Sequence, residues 1–235
     1  KIHKIMKNIL LIGGSTGIGL ELSKKLEDNY NVFISTRNPE KFSSSNIKTT
    51  KLDLDKDFEA DWLPEVIDGF VYLPGTINLR PFKGLKSEVF IDDFNINVLG
   101  CIKILQKILN RLEASENSSI VMFSTVAVKL GMPFHSSVSS SKGAIEGLTR
   151  SLAAEFAPKI RVNAIAPSLL NTPMSDKFLN SDTKLDNAKN RHPLKEIGSP
   201  EDISDLVMFL LEDKSKWMTG QIIPFDGGIG SLKTN

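Results

Sequence analysis

Asn8-Ile9-Leu10-Leu11-Ile12-Gly13-Gly14-Ser15-Thr16-Gly17-Ile18-Gly19-Leu20 runs from an apolar strand pattern through a glycine-rich turn into helical spacing. Ile9 to Ile12 do not alternate with polar residues, so the strand they form is covered on both faces, as in a parallel sheet flanked by helices. The glycines that follow permit a tight turn, close approach of a pyrophosphate to backbone N–H groups, and tight helix–strand packing. Glycine-rich turns also serve merely to reverse a chain. Here the strand before and the helix after supply the context that a nucleotide-binding loop requires.

The same grammar extends outward. Further strand patterns lie at 31–35, 47–52, 69–73, 119–124, 160–165 and 221–225. Between them, Phe94, Val98, Cys101, Ile102, Leu105, Leu109 and Leu112 recur at helical spacing, as do Ala144, Ile145, Leu148, Leu152 and Phe156. Alternating strands and helices with short connections predict an α/β, Rossmann-type, doubly wound parallel sheet of seven strands. At about 150 residues per domain, 235 residues suit a single domain, here taken as 6–235. Met6 reads as a natural start, and 1–5 as an artificial remnant. The polar stretch 174–192 follows a strand's carboxyl end and is expected to form a substrate lid.

After the second strand stands Ser35-Thr36-Arg37, with no Asp or Glu between Asn29 and Pro39. An NAD site places an acid here for the ribose 2′-hydroxyl; the guanidinium fork of Arg37 suits a 2′-phosphate, which points to NADP(H).

Composition removes other classes. The chain carries 29 Lys+Arg against 28 Asp+Glu, and no run of five like charges. Nucleic-acid and polybasic membrane partners therefore have no support. No apolar run approaches the about 20 residues of a spanning helix. One cysteine, Cys101, leaves no intrachain disulfide and no Cys-based zinc site, and no metal is expected. The expected location is the cytoplasm.

Gly13-x3-Gly17-x-Gly19 resembles the cofactor loop of the short-chain dehydrogenase/reductases, and further matches cover nearly the whole chain. Ile96-Asn97-Val98-x-Gly100 resembles the segment with the tetrad asparagine, Ile120–Ala127 the strand that delivers the catalytic serine, and Lys142-Gly143-Ala144 the helix with the catalytic lysine. Arg161–Pro167 with Thr172-Pro173-Met174 resembles the nicotinamide-side loop. Gly198–Ile203, Thr219-Gly220-Gln221 and Asp226-Gly227-Gly228 complete the pattern. The likeness is strongest to carbonyl and 3-oxoacyl reductases. It implies cofactor contacts from Gly13, Ser15, Thr16, Gly17, Ile18, Gly19, Arg37, Asp53 (to the adenine), Leu54, Gly75, Lys142, Pro167, Leu170 and Thr172. It also implies a homo-oligomer, a tetramer or dimer, and the two long helices carry enough large apolar residues to cover a neighbour.

The catalytic centre departs from that family. Its Tyr-x3-Lys would put a tyrosine at Val138, and a serine thirteen residues earlier, where Thr125 stands. The tetrad thus reads Asn97, Thr125, Val138, Lys142. The family's Asn-Asn-Ala-Gly is replaced by Tyr72-Leu73-Pro74-Gly75, with Tyr72 expected to pack under the sheet. General acid catalysis contributes about 10²–10⁴-fold, whereas positioning can contribute about 7–11 kcal/mol, so by these magnitudes a site without the tyrosine can be slow without being dead. His135, seven residues before Lys142, is the leading replacement acid, since imidazole can donate near neutral pH. Ser137 reads equally as a helix N-cap. The expected function is NADPH-dependent reduction of a carbonyl, small or carried on an acyl thioester, or of a conjugated enone. A silent NADP(H)-binding sensor or partner subunit stands as the alternative, and chemistry without net redox as a third.

Overall fold

The computed structural model describes residues 6–233, so the segment 1–5 lies outside it. Seven strands form one parallel sheet: β1 (Asn8–Ile12), β2 (Asn31–Thr36), β3 (Ile47–Lys51), β4 (Gly69–Tyr72), β5 (Ser118–Phe123), β6 (Ile160–Pro167) and β7 (Ile222–Phe225). Their order is β3-β2-β1-β4-β5-β6-β7. Each expected strand is present within two residues of its boundaries.

The helices are α1 (Gly17–Leu26), α2 (Ser87–Phe94), α3 (Gly100–Glu113), α4 (Val126–Leu130), α5 (Ser136–Phe156), α6 (Asp176–Leu179), α7 (Asp182–Arg191) and α8 (Pro200–Leu211). Side chains of β1 alternate between two cores. Leu10 and Ile12 join Phe70, Ile104, Ile108 and Ile145 beneath α3 and α5. Ile9 and Leu11 join Leu22, Leu26, Ile203 and Val207 beneath α1 and α8. Burial on both faces is what the unbroken apolar runs demanded. Ser199 and Asp202 form a reciprocal capping box at the start of α8, which gives the Gly198–Ile203 motif a local cause.

The helix expected over 94–112 is corrected. A π-turn, Asn95–Leu99, separates α2 from α3, and the Gly100 N–H donates to the carbonyl of Asn95. Tyr72, on the central strand β4, packs under the sheet as expected and donates its hydroxyl to the carbonyl of Ile96 at 2.5 Å. Gly100 is required there: a Cβ would stand 2.5 Å from that hydroxyl. The extra residue of the π-turn shifts the helical stripe, and Phe94, counted among the core positions, is exposed.

Candidate active site

The strand order reverses direction between β1 and β4, and in open α/β sheets ligands bind beyond the carboxyl ends at that point. Two loops meet there. A Cβ on Gly13 would touch Leu73 and Pro74, which follow β4, at 3.4–3.5 Å. Gly13 and Gly17 have φ of +76° and +53°, a region that L side chains rarely adopt. Gly19 is fixed by space: a Cβ would lie 2.5 Å from the Cα of Gly14. Thr16 occupies the N-cap of α1 without capping it through its side chain, and the first turn holds no acidic residue. Its N–H groups and the positive end of the helix dipole remain available to an anion. This cradle fits a pyrophosphate.

Arg37 stands exposed just past β2. Sequence reasoning missed Lys41, whose Nζ donates to the carbonyl of Ser15 at 3.3 Å. A second cation is thereby tied to the glycine-rich loop. Its spacing of four from Arg37 was visible, but the contact is made across 26 residues. Asp53 lies beyond β3 with its carboxylate engaged by the Asp55 N–H and the Lys56 ammonium, which hold its pKa below the usual range. Leu54 packs beneath it toward Gly100. On the opposite side, the loop after β6 reaches back: Thr172 and Pro173 lie 3.5–3.7 Å from where a Cβ of Gly17 would be, and Leu170 bridges to Gly198.

Lys142 and Asn97 converge on Gly75. A Cβ there would meet Asn97 Oδ1 at 3.3 Å and Lys142 Nζ at 3.5 Å. Asn97 is fully buried; its Nδ2 donates to Thr76 Oγ1 at 3.0 Å and to the carbonyl of Asp93 at 2.7 Å. Its Oδ1 is buried without a partner among the described residues. Lys142 is 8% exposed, and burial lowers its pKa to about 8 against a smaller opposing influence of Cys101 and Asp93. An orphaned acceptor and a buried ammonium, both beside a glycine at the switch point, fit the ribose of a nucleotide cofactor.

Thr125 is the N-cap of α4, its Oγ1 accepting from the Ala127 N–H at 3.3 Å. That bond uses a lone pair and leaves the hydroxyl proton free to donate. Val138 precedes Lys142 by one turn of α5 and is 5% exposed. Neither tyrosine of the chain replaces it. Tyr72 is committed to Ile96, with its phenol pKa pushed well up by burial, and Tyr30 neighbours Glu212. His135 occupies the N-cap position of α5, and its Nδ1 bonds the carbonyl of Pro133 at 2.7 Å. A carbonyl only accepts, so the proton sits on Nδ1, and Nε2 can donate only when the ring is an imidazolium. Ser137 is corrected: it is not the N-cap but donates to Asp93 Oδ2 at 2.5 Å. Asp93 itself escaped the sequence reading.

The 174–192 segment holds α6 and α7. It is joined to the loop after β4 by Lys177, whose Nζ donates to the carbonyl of Ile77 at 3.1 Å. His192 anchors its far end, fully enclosed between Ser168 and the carbonyl of Ala188 at 2.8 Å each.

Comparison with known proteins agrees with this architecture. A family model described as enoyl-(acyl carrier protein) reductase matches residues 53–230. A 3-oxoacyl-(acyl-carrier-protein) reductase of Thermotoga maritima is 34% identical over 146 residues, 62% of this chain and 58% of that protein. L-xylulose reductase of Bos taurus is 34% identical over 152 residues, 64% of this chain and 62% of that protein. These two matches span less than two thirds of each relative. A Staphylococcus aureus 3-oxoacyl-(acyl-carrier-protein) reductase is 28% identical across 96% of this chain and 99% of its own. Among solved structures, a short-chain dehydrogenase family protein of Francisella tularensis superposes with a TM-score of 0.87 at 30% identity, covering 97% of this chain and all of that one. ElxO with NADP bound superposes with a TM-score of 0.87 at 27% identity, with the same coverage. A family model over most of the chain, and a relative at 30% identity matched end to end, place this chain in the short-chain dehydrogenase/reductase family.

Proposed function

We propose that this protein is an NADPH-dependent reductase acting on a carbonyl of the 3-oxoacyl type or on a conjugated enone. The observation that carries the reading is the meeting of Lys142 Nζ and Asn97 Oδ1 at Gly75, across from the glycine cradle after β1. The chemistry supplied by a bound nicotinamide is hydride delivery to an electrophilic carbon. Gly13, Ser15, Thr16, Gly17, Ile18 and Gly19 hold the pyrophosphate; Arg37 and Lys41 hold the 2′-phosphate; Asp53 and Leu54 border the adenine. Pro167, Leu170 and Thr172 close on the nicotinamide side. Lys142 grips the ribose, and Thr125 donates its hydroxyl to the developing oxyanion. With Val138 in place of a phenol, His135 in its imidazolium form supplies the proton.

Phe82, Phe134 and Met174 are exposed on loops at the carboxyl side of the sheet, and the Arg80 N–H donates to the carbonyl of Phe134 to join two of them. Exposed apolar side chains on this side of the sheet suit an acyl chain better than a sugar. The segment 174–192 serves as the lid. Ile91, Phe94 and Leu99, exposed at 58%, 39% and 37% along one flank of α2 and the π-turn, suit burial against a second copy. Among the described residues no helix is long and apolar enough to cross a membrane.

The absent phenol gives one specific observation in favour of a silent NADP(H) binder. NADPH consumption with ketones, enones and 3-oxoacyl thioesters separates the two. Turnover that falls in His135→Ala supports the reductase and its acid. Tight NADPH binding with no turnover of any substrate establishes the silent binder.

A further inference from the structure

Asp93 is wholly buried on α2, one turn before Asn97. A carboxylate removed from water requires partners. It has three, all neutral: Thr76 Oγ1 and Asn78 Nδ2 donate to Oδ1 at 2.5 and 2.7 Å, and Ser137 Oγ donates to Oδ2 at 2.5 Å. Those donors come from the loop after β4 and from α5, the elements that present Gly75 and Lys142. Packing alone gives no reason for the charge, since an apolar side chain would fill an α2–α5 contact without desolvating a carboxylate.

The consequence runs through Thr76. Its single hydroxyl proton is given to Asp93, so toward Asn97 it can only accept, and it takes a hydrogen from Nδ2. The other Nδ2 hydrogen goes to the carbonyl of Asp93, which also can only accept. Both bonds fix the same edge of the carboxamide as the donor edge. Asn97 Oδ1 must then face Gly75 and Lys142, and there it lies unpartnered. Without the carboxylate, the Thr76 hydroxyl is free to rotate and donate instead, and half of that constraint is gone.

We propose that Asp93 is the positioning residue of this site: its buried carboxylate orders the Thr76 hydroxyl, which locks the Asn97 carboxamide with its oxygen turned toward Lys142. The inference rests on the reductase reading of the same site. Asp93 touches neither substrate nor cofactor; it acts on them through Thr76 and Asn97. Its charge also opposes, in part, the discharge of Lys142 by burial.

The test compares Thr76→Val, Thr76→Ser and Asp93→Leu in the full chain, with kcat on a ketone or enone, NADPH affinity by fluorescence, and melting temperature for each. A displacement of about 1 Å at a reacting group can cost about 10²-fold, so kcat should fall at least tenfold in Thr76→Val and Asp93→Leu, and stay within about twofold of wild type in Thr76→Ser. NADPH Kd should follow the same ladder, rising about fivefold or more in the first two. A purely structural Thr76 would lower the melting temperature of both Thr76 variants and leave the kcat of the folded proteins alone. With an active wild type, kcat decides: Thr76→Val at wild-type rate, or Thr76→Ser as slow as Thr76→Val, overturns the proposal. If the wild type reduces no ketone, enone or 3-oxoacyl thioester, the reductase reading falls and the Kd ladder decides, its absence overturning the role of Asp93. Should Asp93→Leu not fold, the Thr76 pair, half-buried in a loop, decides alone.

Discussion

Replacing Lys142 by methionine should stabilise the unliganded protein and weaken its hold on NADPH. Lys142 is 8% exposed, and burial lowers its pKa from 10.5 to about 8. Keeping this ammonium charged inside the fold at pH 7 therefore costs about 3 kcal/mol, at 1.36 kcal/mol for each decade in the proton equilibrium. The sign follows from the two states. Below pH 8 the lysine is protonated in both, and the cost is fully present. Between pH 8 and 10.5 the unfolded chain still binds the proton while the folded one has released it, so wild-type stability rises with pH and the cost disappears. Methionine covers the same methylene path without the charge. For a chain of this size about 1 kcal/mol moves the melting temperature by about 2–4 °C. Lys142→Met should accordingly melt at least about 5 °C above wild type at pH 7, allowing for imperfect refilling of the site. That lead should shrink toward zero by pH 10. Loss of a charged hydrogen bond, about 1.5–3 kcal/mol, should raise the NADPH Kd by at least tenfold. Thermal melts of both proteins from pH 7 to 10, without and with NADPH, read all three effects. A variant no more stable than wild type at pH 7, or a lead that does not change with pH, refutes the claim that Lys142 is held as a costly buried charge.

Arg37→Ala should cost NADPH one to two decades of affinity and leave NADH nearly unchanged, because a charged hydrogen bond to a 2′-phosphate contributes about 1.5–3 kcal/mol; equal losses for both cofactors in a titration would show that Arg37 does not read the phosphate. Val138→Tyr should gain turnover of simple ketones, since residues 138 and 142 share one helical face and the chain keeps Lys142, Asn97 and a hydroxyl at Thr125. Overpacking at this buried position typically costs about 1–3 kcal/mol, so a melt with NADPH must accompany the assay. A well-folded, NADPH-binding variant without turnover would mean that more than the acid is missing. Light scattering at micromolar concentration should give a mass at least twice 25.9 kDa; a monomer would leave Ile91, Phe94 and Leu99 as ordinary exposed side chains.

What could be read in advance divides along the range of the interactions. Strands such as Ile9–Ile12 and Ile120–Phe123 are legible because burial on both faces leaves the same mark at every position. The cradle after β1 is legible because glycine is the residue that tolerates both φ of +76° at Gly13 and the 2.5 Å approach at Gly19. The place of Arg37, exposed just past β2, is legible because the strand pattern ends before it. The helix break at 95–99 is not: its cause lies 24 residues away, in a phenol that takes the carbonyl of Ile96 and in a glycine that lets that phenol approach. Lys41 fails for the same reason, its contact being with the backbone of Ser15.

Asp93 shows why the centre of the site was hardest to see. In the sequence Asp92-Asp93 looks like two solvated charges on a helix, and a helical stripe drawn through Phe94 and Val98 turns both outward. The structure leaves Asp92 exposed and buries Asp93 completely, because the hydroxyls and amide that receive it come from residues 76, 78 and 137, on two other elements. A buried carboxylate is most costly when it is alone. Three donors supplied from a distance make it a fixed point, and Asn97 is oriented by that point through Thr76 as well as by the backbone carbonyl four residues before it. The tetrad positions could therefore be counted along the sequence, by analogy, while the group that orients one of them could be found only where the β4 loop, α2 and α5 meet.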